Sequence, residues 1–109
     1  MGLTANNHIV ISSHMRDPAF KALSDPTRRE ILRLLGERDR TAGELVGQFN
    51  VSQPAVSRHL AVLRSAGLVR ALRAGQNVVY SLDTTVFQDV VRTLMDLGLG
   101  KLPKAKEQE

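Results

Sequence analysis

Ser52-Gln53-Pro54-Ala55-Val56-Ser57-Arg58-His59-Leu60-Ala61-Val62-Leu63-Arg64-Ser65-Ala66-Gly67 reads as one helix with a marked start and a marked stop. Ser52 supplies an N-cap oxygen and Gly67 a C-cap. Advancing about 100° per residue, Val56, Leu60 and Leu63 share one face and form the core side. Pro54, Ser57, Arg58 and Ala61 lie opposite, with Gln53 and Arg64 flanking. This outer face is small and polar, carries one long cation and has no acid. Such a face suits a major groove: small residues admit close approach, Gln can pair with an adenine edge, and Arg can reach guanine or phosphate. Free amides at the helix start near Ser52 favour a phosphate oxygen. His59 falls at the border of the core face, where a packed, hydrogen-bonded ring is the commoner outcome than a ligand.

Upstream, Thr41 and Glu44 form a capping box for a short helix that runs to about Phe49. Asn50, which tolerates left-handed backbone, makes the turn. Two helices joined in this way have helix-turn-helix geometry, a weak signal until the phase of the second helix is added. Asp25-Pro26 opens an earlier helix to about Glu37, with Ile31, Leu32, Leu34 and Leu35 as its buried face. Asp17-Pro18 opens the first helix in the same way, with Phe20 and Leu23 apolar. Downstream the period changes. Residues 68–72 and 78–82 read as two strands, joined through Ala74-Gly75-Gln76-Asn77. A last helix starts near Asp83, Thr84 or Thr85 and runs to Leu97. The fold expected is mainly α with a small β-hairpin, in the order α-α-α-α-β-β-α. The hairpin serves as a wing, with Arg73, Gln76 and Asn77 at a tip that Gly75 allows to turn.

The bulk of the chain agrees with this reading. Its 109 residues bury one core. Residues 1–15 read as a flexible or vector-derived leader, residues 16–100 as the folded domain and residues 101–109 as a polar tail. No apolar run approaches the roughly 18 residues that span a bilayer, and no signal peptide opens the chain, so the cytoplasm is the expected compartment. Cysteine is absent, which removes disulfides and thiolate metal sites. The charge is unevenly placed. From Leu45 to Leu82 there is no Asp or Glu, while Arg58, Arg64, Arg70 and Arg73 all fall inside. With acids at about one residue in eight, chance gives such a stretch roughly once in a hundred, so nucleic-acid contact is favoured over a merely solvated basic face.

Two runs carry a family resemblance. Phe20-Lys21-Ala22-Leu23-Ser24-Asp25-Pro26-Thr27-Arg28-Arg29-Glu30-Ile31-Leu32-Arg33-Leu34-Leu35 resembles the opening helices of ArsR/SmtB-type winged-helix repressors. The run from Ser52 to Val69 is similar to their recognition helix and its exit. With Arg73-Ala74-Gly75 and Val79-Tyr80-Ser81-Leu82, the likeness covers about residues 20–97. It implies a dimeric prokaryotic repressor on an inverted repeat, with Gln53, Ser57 and Arg58 as base or phosphate readers. Metal-sensing members carry a Cys-x-Cys pair where this chain has Thr41-Ala42-Gly43, and others use Asp and His on the last helix, which here holds Asp89 and Asp96 but no His. No metal and no cofactor are therefore expected.

On the last helix Val86, Phe87, Val90, Val91, Leu94, Met95 and Leu97 cover about half the circumference, more than one small core needs. A second copy is the simplest cover, with Phe20 and Leu23 of the first helix sharing the interface. Such a two-fold dimer sets its recognition helices about 34 Å apart, matching double-stranded half-sites one turn apart. The expected DNA-contacting set is Ser52, Gln53, Pro54, Ser57, Arg58, Arg64, Arg73, Gln76 and Asn77. No nucleophile with a base, no paired carboxylates and no phosphate-binding loop support an enzyme. Two other classes stay open on the residues alone. A protein-contact adaptor would want an apolar patch on the outer face of the helix, and RNA binding would want exposed aromatics, which make up only 4% of the chain. Operator, inducer and any partner protein are unspecified by the sequence.

Overall fold

The computed structural model describes residues 17–98, so the leader at 1–15 and the tail at 101–109 lie outside the described residues. The first helix, α1, is described over residues 17–22. Asp17 is already helical, so the cap expected there does not mark the start. Then follow α2 (Pro26–Glu37), β1 (Arg40–Thr41), α3 (Ala42–Val46), α4 (Gln53–Ser65), β2 (Val69–Ala74), β3 (Asn77–Leu82) and α5 (Thr84–Asp96).

Each helix start follows from its cap. Asp25 accepts from the Arg28 amide at 3.1 Å with Pro26 in the first turn, and Asp83 accepts from the Thr85 amide at 3.1 Å. Thr41 and Glu44 form the full capping box, at 3.1 Å and 2.8 Å. That helix is shorter than its sequence suggests: it ends at Val46, and residues 47–50 turn away before Phe49 can join it. Asn50 does not take the left-handed backbone expected of it, because among the described residues only glycines have positive φ.

The hairpin is tighter than expected. Its strands pair from Val69↔Leu82 to Ala74↔Asn77, so Gly75 and Gln76 alone form the turn. Gly75 has φ +66° and Gln76 does not share it, the pattern of a two-residue turn with glycine first. A third strand was not legible. β1 pairs antiparallel with β3 through Arg40↔Tyr80 and Thr41↔Val79, giving the order β1-β3-β2. Two residues carry no period of their own, and here they are held because Arg40 is pinned. Its guanidinium is buried, donating to Leu34 O at 3.1 Å and to Glu37 at 2.8 Å, so it closes the carbonyl end of α2.

The core gathers Ile31, Leu45, Val56, Leu60, Leu63 and Leu68 as its fully buried members. Each such side chain contributes about 1.5–3 kcal/mol by leaving water. α4 contributes three of them on one face, so its orientation is set by the core and its other face is left to solvent. Its exit is equally fixed. Gly67, at φ +79°, follows the last cap residue Ala66, with Gly67 N donating to Arg64 O and Leu68 N to Leu63 O, both at 3.0 Å. This is a complete Schellman closure, and it turns the chain directly into β2.

Candidate nucleic-acid interface

The exposed face of α4 is the one expected from its phase. Gln53, Pro54, Ser57, Arg58, Ala61 and Arg64 are exposed, while Val56, Leu60 and Leu63 are buried. Ser52 caps the helix, its Oγ accepting from the Ala55 amide at 3.2 Å. That bond limits one expectation. Pro54 has no amide proton, the Ala55 amide is taken by Ser52, and the Val56 amide donates to Ser52 O at 3.0 Å. Only the Gln53 amide of the first turn lacks a partner among the described residues, so the main chain alone is a thin anion site. Phosphate contact at this end falls to side chains.

The wing places Arg73, Gln76 and Asn77 exposed at its tip, beside the Gly75 turn. Among the described residues no acidic side chain lies within ion-pair distance of Arg58, Arg64 or Arg73, in contrast to Arg33, Arg38 and Arg40, which all pair with glutamates. Arg70, across from Ser81, helps to hold the Asp83 carboxyl below its usual range, after the larger effect of the Thr85 amide. The cations on the acid-free segment thus divide by role. Arg70 acts on the Asp83 carboxylate, whereas Arg58, Arg64 and Arg73 are exposed and make no ion pair with another described residue, which leaves their donors available to an anion.

Arg28 and Arg29 acquire roles that the sequence alone did not disclose. Arg28 Nε donates to Ala22 O at 2.7 Å and Nη2 to Lys21 O at 3.2 Å, while Arg29 donates to Leu23 O at 2.8 Å. The two arginines close the carbonyl end of α1. The signal was the Arg pair placed one turn after the Asp25 cap, where it can reach back to the preceding helix. His59 is half-buried with Nδ1 3.3 Å from Arg28, in keeping with a packed ring.

The residues expected at a subunit interface separate into two groups. Val86 and Val90 are buried in the domain's own core, and Leu23 and Phe87 are half-buried against it. Phe20, Val91, Leu94 and Met95 are exposed, as is Leu97 at 70%. The free part of the apolar face of α5 is therefore its C-terminal half.

Comparison with known proteins agrees with this geometry. The family model described as bacterial regulatory protein, arsR family, matches residues 25–71, which span α2 through the first half of β2. The transcriptional repressor SdpR of Bacillus subtilis is 48% identical over 77 residues, covering 71% of this chain and 86% of that protein. A transcriptional repressor SmtB homolog of Synechocystis is 36% identical over 77 residues, covering 71% of this chain and 58% of that longer protein. Among solved structures, an ArsR-like transcriptional regulator from Rhodococcus sp. RHA1 superimposes with TM-score 0.72 at 34% identity, covering 80% of this chain and 82% of that one. HlyU from Vibrio cholerae does so with TM-score 0.64 at 34% identity, covering 78% and 92%. With an exposed, capped, acid-free helix in a helix-turn-helix and a wing behind it, this chain belongs to the ArsR family of bacterial regulatory proteins: it is a DNA-binding transcriptional regulator, and not an enzyme.

Proposed function

We propose that the chain acts as a homodimeric repressor that reads an inverted-repeat operator in the cytoplasm without bound metal. The observation that carries the reading is the outer face of α4, where Gln53, Ser57 and Arg58 are exposed on a helix whose opposite face is locked in the core. Gln53 and Arg58 supply the side-chain chemistry for base edges, Ser52 and Arg64 for phosphates, and Arg73, Gln76 and Asn77 for the backbone beside the wing. Pro54, Ser57 and Ala61 keep the face low enough for close approach. Two copies are favoured by the exposed Phe20, Val91, Leu94, Met95 and Leu97, which a lone domain leaves in water.

Metal independence is supported by the chain's own donors. It has no cysteine. Among the described residues no three His, Asp or Glu side chains gather closely enough to hold an ion. No helix among these residues is long and apolar enough to cross a membrane.

Arg58→Ala tests the reading directly. Operator affinity is expected to fall by roughly 1–3 kcal/mol, with discrimination relaxed at one base-pair position of each half-site. Fluorescence anisotropy against a set of single-base operator variants measures both. An unchanged affinity across the whole set would remove Arg58 from the reading face.

A further inference from the structure

The ring of His59 lies between two opposite charges, both from the start of α2. Arg28 Nη1 is 3.3 Å from His59 Nδ1, and His59 Nε2 is 4.0 Å from Asp25 Oδ2. The rest of the Arg28 guanidinium is committed to α1, through Ala22 O and Lys21 O. A guanidinium has donors only, so the ring nitrogen facing it must offer a lone pair, which leaves the ring proton facing Asp25. The neutral ring accepts from Arg28 and keeps its N–H toward the Asp25 carboxylate, 4.0 Å away. The protonated ring would turn an N–H toward Arg28 and bring two cations together. Among the described residues the charged groups against the ring are Arg28 of α2 and its N-cap Asp25; Arg58 adjoins His59 in sequence on α4, and Lys21 of α1 meets Arg28 through its carbonyl. The Arg28 amide holds the Asp25 carboxyl below its usual range, so Asp25 stays ionised in mild acid.

We propose that Arg28 and His59 are positioning residues for DNA reading: Arg28 ties the end of α1 to the flank of α4 through the neutral His59 ring, fixing the reading helix against the helix that carries Phe20. The proposal rests on the operator-binding homodimer above. It deepens that reading by joining the helix assigned to the subunit interface to the helix assigned to the groove. No contact with a base is required of either residue. A merely electrostatic His59 would act in the opposite direction, because an added positive charge beside Arg58 strengthens binding to phosphates. The sign of the pH effect therefore separates the two roles.

The test compares wild type, His59→Gln and His59→Phe, using an operator duplex and a shuffled duplex at fixed salt. Gln is a neutral amide that can accept from Arg28 and present its N–H to Asp25 without titrating, and Phe fills the space with neither polar contact. Between about pH 8 and about pH 6, wild-type operator affinity should fall about tenfold more than that of His59→Gln. His59→Phe should bind about fivefold more weakly than wild type at the higher pH, and His59→Gln should match wild type there. His8 and His14 are common to all three proteins and cancel in the comparison. Matching pH profiles for wild type and His59→Gln, tighter wild-type binding in acid, or wild-type affinity in His59→Phe would each overturn the positioning role. Loss of the wild-type dimer at the lower pH, seen by size exclusion, would overturn it in favour of a role in assembly. If wild type fails to prefer the operator even at about pH 8, the operator reading falls and the proposal with it. A clear preference with matching profiles overturns the positioning role alone.

Discussion

Gly67→Ala is expected to destabilise the domain by roughly 2–5 kcal/mol, from two separate causes. Gly67 sits at φ +79°, where an L side chain costs about 1–2 kcal/mol. A Cβ built there would also meet Val86 Cγ2 at 2.8 Å. Val86 is buried and β-branched, so it has few rotamers in which to move aside, and overpacking of this kind costs about 1–3 kcal/mol. For a domain of this size each kcal/mol lowers the melting temperature by roughly 4–8 °C, so a loss of at least about 8 °C is expected. Gly75→Ala separates the causes. Gly75 has φ +66° but open space around the missing Cβ, so only the backbone penalty of about 1–2 kcal/mol applies. Thermal and urea melts of both variants measure the difference. Equal losses at the two positions would mean that Val86 yields freely and that the junction of α4 with α5 is softer than described.

The second large effect concerns assembly. In the proposed homodimer, the double variant Val91→Glu/Met95→Glu should leave the fold intact and separate the subunits. Both side chains are more than half exposed in the single domain, at 56% and 58%, so the fold loses little. Burying two carboxylates in an apolar interface costs several kcal/mol, and the subunits separate instead. Operator affinity then falls by about 10²–10⁴, because a second reading helix held beside its half-site acts at high effective concentration, and a lone subunit has no such partner. Size exclusion with light scattering, circular dichroism and anisotropy give the three readouts. A folded variant that stays dimeric and binds as wild type would move the interface away from the C-terminal half of α5.

Much of this architecture was legible because the signals were local. The Ser52 cap and the glycine after Ala66 mark the ends of α4, and the spacing of Val56, Leu60 and Leu63 fixes which side faces out. The capping box of Thr41 and Glu44 likewise needs only four residues to be seen. What escaped reading depends on distant partners. β1 is two residues long and exists because Tyr80 and Val79 lie opposite it, which no local period encodes. The roles of Arg28 and Arg29 required the end of α1 to be folded back within their reach. The interface stripe was read from helical phase alone, so it included Val86 and Val90, which the domain's own core takes up. The loss of helix-start amides at Pro54 and Ala55 was in principle visible, since a proline in the first turn removes one donor and a capping serine uses another.

The most direct measurement is fluorescence anisotropy of chelator-treated protein on its own upstream region and on a shuffled duplex of equal length, each at two salt concentrations. Tight binding to the upstream region is expected, about 10³-fold or more above the shuffled duplex, and steeply weakened by salt as Arg58, Arg64 and Arg73 release counterions. Equal, weak binding to both duplexes would contradict the account of a metal-independent repressor that reads its operator through α4.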